Sequence, residues 1–364
     1  MRAAIVQIRR LWSWLLRQSQ RRRAIAEIAI FPYLYLSGRV KADAWEIIPA
    51  AELSREDVDV DWVYDAALGL LDLYTLRSGH WERVGCFARR TDGRVGHAEQ
   101  RDALQGLHRG VCAALLDPNP SLAEKDKGHQ AATSDNALIY IHGVDPTGSV
   151  WVNYGVMVRA TVGGLQIGSD DVTIAPPPEV NVPFMHPGID DVYLDALLQV
   201  LRDSSDDSRR ISRAIEWLDL AWRNTTSIDE DTRLVALRAG FEVLLGVGDR
   251  SDDMRGALSA LLDPPDAPRL KRTWTSLGGK ERSEELTDLE WWFMRLSFLR
   301  NSIMHGSPIS DAEYLDDGVR YLWRAEETLR QAVKRAVANL TTTDVLMTPL
   351  ERILREGLND AEAD

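Results

Sequence analysis

Five prolines (Pro176, Pro177, Pro178, Pro183 and Pro187) fall within twelve residues of this chain. Proline lacks the N–H that helix and sheet both need, and its ring fixes φ. No regular element can run through such a stretch, so it divides the chain. Before it, apolar residues come in short β-branched and aromatic runs. After it, they recur at spacings of three and four. The expectation is an α+β protein. Residues 1–185 form a mixed α/β domain with an antiparallel sheet and a sensor or regulatory role. Residues 190–343 form an all-helical domain, and residues 344–364 a short helix with an acidic tail.

In the first part, residues 25–36 are apolar and β-branched but contain Pro32, which predicts an edge strand or strand pair. Residues 62–76 and 97–116 have helical spacing. Residues 81–89 and 137–144 read as strands, and 117–136 as a loop. Residues 150–167 read as a hairpin turning at Gly163-Gly164, since glycine supplies positive φ. In the second part, helices are expected at 190–201 and at 210–222, the latter capped by Asp206 or Asp207. More follow at 232–247, started by Asp229 and stopped by Gly246, and at 251–262. Residues 263–283 read as a basic loop. Long helices are expected at 284–305 and 311–340.

Charge excludes some functions. The 364 residues carry 43 Lys and Arg against 56 Asp and Glu, a net charge of −13. Residues 1–190 hold 20 basic and 23 acidic side chains (net −3), which leaves 23 and 33 (net −10) for residues 191–364. Such a surface cannot grip a nucleic acid along its whole length. The local exception is residues 1–26, with seven arginines and no acid. There Ile5, Ile8, Trp12 and Leu15 make an apolar stripe. Arginines interrupt and follow it, which a secretory signal does not allow. An amphipathic helix packed on its own domain or on a partner, a membrane-surface helix and an RNA-binding helix all fit. No apolar run reaches the 18 or so residues of a membrane span. Two cysteines, Cys86 and Cys112, make no disulfide framework, so a reducing cytoplasm is the expected setting. No metal-ligand spacing, GxSxG element or phosphate-binding P-loop occurs, so no metal or cofactor is expected.

The residues that carry chemistry are Arg300, Asn301 and His305, in the run Leu299-Arg-Asn-Ser-Ile-Met-His-Gly306. Leu289, Trp292, Phe293, Leu296, Leu299 and Ile303 give the preceding helix an apolar face. Gly306 and Pro308 stop it, so His305 lies in the last turn. Histidine is the side chain suited to moving a proton near neutral pH, and arginine is a permanent cation whose planar fork fits phosphate oxygens. Asn301 lies four residues before His305 on the same face. Arg300 lies about 140° away, so the two meet at one site only across a wide cleft or a distorted last turn. Arg101 and His108 offer a similar pair on another helix, so spacing alone does not identify a site. A surface ion pair at Arg300 with a helix-ending role for His305 fits these residues equally well.

The Arg300–Gly306 element, together with Ala214–Gly246 (AIEWLDLAWRNTTSIDEDTRLVALRAGFEVLLG) upstream, resembles the HEPN domains, specifically the ApeA-like group, over residues 205–340. The resemblance implies a helical bundle that forms a homodimer or higher homo-oligomer, bringing two motifs into one RNA-cleaving cleft without a metal. It implies His305 as general acid or base, Arg300 as stabiliser of phosphoryl charge, and Asn301 as an orienting group. Glu242, in Glu242-Val-Leu-Leu-Gly246, either holds Arg300 by a salt bridge or is structural. Where some related toxins carry a regulatory tyrosine two residues after the histidine, this chain has Ser307.

The expected function is an RNA endonuclease effector of prokaryotic toxin or antiviral type, acting on tRNA or other cellular RNA under an unidentified trigger or antitoxin. The alternative is a non-catalytic HEPN-like dimerisation, RNA-binding or scaffold protein. Arg269, Lys271, Arg272, Lys280 and Arg282 of the basic loop are candidate RNA contacts, or a solvated surface.

Overall fold

Residues Ala26–Phe31 are apolar at five of six positions, a run that suits a strand covered on both faces. The computed structural model makes it one. It describes residues 26–71, 74, 85–96, 101–115, 134–144, 146, 150–157, 165–167, 172–174, 189–223, 228–248, 250–275, 279–341 and 346. The architecture is mixed α+β. By internal contacts the chain separates into two units, Met1–His108 with Asn136–Val182, and Arg109–Asp135 with Pro183–Asp364. The basic segment 1–25, the Gly163-Gly164 pair and the C-terminal short helix and tail lie outside the described residues.

The first unit is built on a six-stranded sheet of order β2-β3-β4-β1-β5-β6, in which every neighbouring pair is antiparallel. The strands are β1 (Ala26–Phe31), β2 (Val40–Ala42), β3 (Trp45–Pro49), β4 (Cys86–Arg90), β5 (Tyr140–Val144) and β6 (Val150–Met157). β1 is central, not an edge. Pro32 lies one residue beyond it, so its missing N–H costs the ladder nothing. Ile28, Ile30, Ile48, Phe87 and Val144 pack against Val63, Ala67 and Leu70 of helix α1 (Asp61–Leu71). Glu46 of β3 and Arg89 of β4 are register partners. Arg89 Nε and Nη2 donate to Glu46 at 2.9 and 2.5 Å, and Arg39 Nη2 donates to Asp57 at 2.8 Å. Glu46 and Asp57 are buried, and both have cationic partners, as burial of charge requires.

The expected 150–167 hairpin is not formed among the described residues. β6 pairs with β5, while β7 (Leu165–Ile167) pairs with β8 (Val172–Ile174) in a separate ribbon. The Asp-Pro-Thr-Gly sequence at 145–148 is a stronger turn signal between β5 and β6 than the glycine pair. Helix α2 (Arg101–Ala114) crosses the division between the units at His108.

In the second unit, side-chain caps set helix starts. Asp190 caps α3 (Asp191–Arg202) through Tyr193 N, and Asp229 caps α5 (Glu230–Leu245) through Thr232 N. Helix α4 (Asp206–Ala221) is capped by Ser205, not by Asp206 or Asp207, which lie in its first turn where the dipole favours acid. Gly246 ends α5 at φ 60°, the left-handed conformation glycine adopts without strain. Helix α6 is Ser251–Leu262, α7 Asp288–Met304 and α8 Tyr321–Leu340. Leu218, Leu237, Phe241, Leu258, Phe293, Leu296, Leu329 and Val333 fill the core.

Two expectations fail here. Residues 263–283 are not a loop but contain a β-ribbon, β9 (Leu270–Thr275) with β10 (Glu281–Leu286). Its rungs set Lys271 opposite Glu285 and Arg272 opposite Glu284, opposite-charge pairs that favour the antiparallel register. Residues 311–320 are not part of the long helix: Asp311–Tyr314 form only a single 3-10 turn, started by Ser310. Asp317 (φ 49°) and Gly318 (φ 81°) turn a tiny hairpin between β11 (Leu315–Asp316) and β12 (Val319–Arg320), so the last helix starts at Tyr321.

Candidate functional site

Helix α7 carries the arginine–asparagine–histidine element, and both its ends are fixed locally. At the start, Thr287 Oγ1 accepts from Glu290 N at 3.1 Å, and Glu290 accepts from Thr287 N at 2.8 Å. Trp292, Phe293, Leu296 and Leu299 bury one face. At the end, Gly306 N donates to Ile303 O at 3.0 Å and Ser307 N to Ser302 O at 2.9 Å. Gly306 has φ 65°. These two bonds around a left-handed glycine are a Schellman motif. They place His305 as the residue that closes the helix, with its backbone N–H donating to Asn301 O at 3.0 Å.

His305 and Met304 are exposed and Arg300 is half-buried. Arg300 Nη1 donates to Asn301 Oδ1 at 3.1 Å. Among the described residues Arg300 has no carboxylate within ion-pair distance, and the His305 ring has no hydrogen-bonding or charged partner. Most arginines of this unit are otherwise occupied. Arg255, Arg295, Arg320 and Arg324 each meet an acid. The helix end therefore presents an uncompensated cation and an accessible imidazole within two turns of each other.

Glu242 on α5 does not hold Arg300 here. It accepts from Arg238 Nη1, one turn earlier on its own helix, at 3.1 Å. Arg238 is 3% exposed. Its Nε donates to Ser297 Oγ on α7 at 3.2 Å, Nη1 also meets Met254 Sδ at 3.1 Å, and its guanidinium sits 4.7 Å from the centre of the Phe293 ring. Burial pushes its pKa below the usual arginine value; the Glu242 carboxylate opposes this and the positive charge of Arg300 adds to it. Sequence reading missed Arg238. Its four-residue spacing to Glu242 was visible, but a spacing does not reveal burial.

Two of the five basic candidates at the ribbon are held by acids. Arg269 pairs with Glu290 at 2.8 Å. Arg272 pairs with Asp288 at 2.6 Å and lies over the Trp291 ring. Lys271, Lys280 and Arg282 are exposed, with Lys271 opposite Glu285 and Arg282 opposite Trp274. The Arg101/His108 pair dissolves, because the His108 ring is buried with Nδ1 2.7 Å from Ala137 O. Cys86 and Cys112 are buried and are not joined by a disulfide. Among the described residues no group of three or more His, Cys, Asp or Glu could hold a metal ion, and no helix is long and apolar enough to cross a membrane.

Comparison with protein-family models, curated proteins and solved structures finds no match.

Proposed function

We propose that the helical part of this chain is a HEPN-type RNA endonuclease, an effector of toxin or antiviral type whose N-terminal domain senses or restrains. The observation that carries this reading is the free charge at the end of α7: a half-buried Arg300 without a carboxylate partner among the described residues, near an exposed His305. Arginine left uncompensated at a helix end is suited to an anion, and RNA offers one at every nucleotide.

In the proposed reaction a base takes the proton from an RNA 2′-OH. That oxygen attacks the adjacent phosphorus, the bond from phosphorus to O5′ breaks, and an acid protonates the leaving O5′. The products are a 2′,3′-cyclic phosphate and a 5′-OH, and no water is consumed. Two proton transfers need two groups. His305 from each of two copies supplies them, which makes a homo-oligomer part of the proposal. Arg300 stabilises the extra negative charge on the phosphoryl oxygens. Asn301, bonded to Arg300, holds the guanidinium in place.

Purified protein incubated with tRNA and total RNA tests this, with product ends identified chemically. His305→Ala and Arg300→Ala should each lower cleavage by about 100-fold or more. Normal cleavage by both variants overturns the assignment. RNA binding without cleavage, unchanged by His305→Ala, identifies a non-catalytic binding module instead.

A further inference from the structure

Helices α7 and α8 each supply an aromatic residue and, three residues on, an arginine: Trp292 and Arg295 from α7, Tyr321 and Arg324 from α8. The two sets cross. The Arg295 guanidinium lies 5.6 Å from the centre of the Tyr321 ring, and that of Arg324 lies 5.2 Å from the centre of the Trp292 ring. Both arginines hold one carboxylate, Asp316 of β11. Its Oδ1 accepts from Arg295 Nη1 at 2.8 Å and its Oδ2 from Arg324 Nη1. Asp316 is buried, while the two arginines are half-buried.

This cluster has more donors than acceptors. Two guanidiniums share one carboxylate, which leaves a net positive charge. The Tyr321 hydroxyl and the Trp292 indole N–H are buried and make no hydrogen bond among the described residues. A buried donor without an acceptor is costly and rare, so two of them on the rings that carry a pair of arginines point to a further oxygen ligand. Burial raises the Tyr321 pKa most, Asp316 raises it further, and Arg295 and Arg324 lower it. The phenol oxygen therefore lies within electrostatic reach of all three charges. A tetrahedral phosphate offers what the carboxylate lacks, namely more oxygens and a second charge. The carboxylate is also the part best able to leave. It is carried on a hairpin with two rungs, Leu315 with Arg320 and Asp316 with Val319, too few to be stable alone. The tip turns at Asp317 and Gly318, both at positive φ. The hairpin's ends are tied separately, Tyr314 to Asp231 and Arg320 to Glu230 at the start of α5. Lifting the tip removes Asp316 and its neighbour Asp317 together.

We propose that Arg295, Arg324 and the Tyr321 hydroxyl form a binding site for a phosphate group, and that Asp316 is the internal anion that closes it. The site uses neither Arg300 nor His305, and it stands whether or not the chain cleaves RNA.

Inorganic phosphate is the first probe, titrated calorimetrically into the full chain at constant ionic strength, with sodium chloride as the reference. An Arg300→Ala background removes the arginine of the proposed nuclease site. In that background Asp316→Asn, which takes away the competing charge at nearly constant shape, should tighten phosphate binding about tenfold. Adding Arg324→Met should loosen it again about tenfold or more. Tyr321→Phe removes only an oxygen that bonds to nothing among the described residues. It should leave stability unchanged or raised, yet weaken phosphate binding about tenfold. A merely structural tyrosine would leave phosphate binding where it was. With Asp316 intact, phosphate should speed hydrogen exchange at residues 315–319 about threefold or more as the tip lifts. The proposal is overturned if Asp316→Asn binds phosphate no better than chloride, if Arg324→Met and Tyr321→Phe leave the affinity unchanged, or if exchange at 315–319 does not respond to phosphate. Should Asp316→Asn fail to fold, Tyr321→Phe and the exchange measurement decide in the same way. Oligoribonucleotides with a 5′-phosphate or a 5′-hydroxyl end then identify the source. Binding that requires the 5′-phosphate and is lost in Arg324→Met assigns the site to an RNA terminus. Binding of inorganic phosphate alone, lost in the same variant, assigns it to a small phosphate.

Discussion

His142 lies on β5 with its ring 2% exposed, and its Nε2 is 2.5 Å from the hydroxyl of Tyr74. Burial holds the Tyr74 phenol protonated to high pH, so the hydroxyl donates and Nε2 accepts. Burial also lowers the His142 pKa to about 4 from 6.5. The folded state therefore binds this proton less readily than the unfolded chain. Its stabilisation is complete above about pH 6.5 and is lost as pH falls toward 4. The loss over that window reaches about 3 kcal/mol. Denaturant melts from pH 7 to pH 4 should show it, and His142→Gln should flatten the slope. Asp57 acts in a different window. Burial raises its pKa, but bonds from Arg39 and Ser54 outweigh this and bring it down to about 2. Its contribution is present above its ordinary value of 3.8 and disappears only below it. Slope remaining between pH 6 and 4.5 in His142→Gln would locate the acid sensitivity elsewhere. Neither residue was visible in the sequence as a buried ionisable group, and nor was Arg238. Their partners lie 68, 18 and 59 residues away, and only tertiary packing brings them together.

Helix ends were readable because their signals are local. Asp190, Asp229 and Gly246 act within three or four residues of themselves, and each does what its chemistry suggests. The β9–β10 ribbon was not readable, because its lysines and arginines mask an alternation that only the acidic partner strand completes. The short hairpin at Asp317-Gly318 was readable in principle. That dipeptide is a strong turn signal, overlooked inside an apparently continuous helical pattern. Two glycines test how elements are held. At Gly306 an added Cβ would meet nothing within 4 Å, so Gly306→Ala costs only the strain of φ 65°, about 1 kcal/mol. Gly306→Asn should cost less. At Gly240 an added Cβ would come within 2.7 Å of Leu329 Cδ2 on α8 and 3.3 Å of Trp217 Cβ on α4. Gly240→Ala should therefore destabilise by about 1–3 kcal/mol through overpacking, despite the better helix propensity of alanine. Equilibrium denaturation separates the two cases. A stabilised Gly240→Ala would show that α4, α5 and α8 are packed less closely than described.

At the scale of the molecule, the net charge of −13 sets the kind of RNA contact that is compatible with the site. Of the ribbon arginines once expected to guide RNA, Arg269 and Arg272 are committed to Glu290 and Asp288. What remains at α7 is Arg300, once per copy. Binding of a single-stranded RNA analogue then neutralises about one or two phosphates. The plot of log affinity against log salt should have a slope of about −0.7 to −1.4. A titration between 50 and 200 mM salt, on the order of the range where such slopes are read, measures it directly. Arg300→Ala should flatten the slope, whereas Lys271→Ala and Arg282→Ala should leave it unchanged. A slope steeper than about −3 would mean that several further cations reach the backbone, and the arginine-rich residues 1–26 would be the first to delete. The slope thus distinguishes a small site on an acidic molecule from a site that borrows charge from elsewhere in the chain.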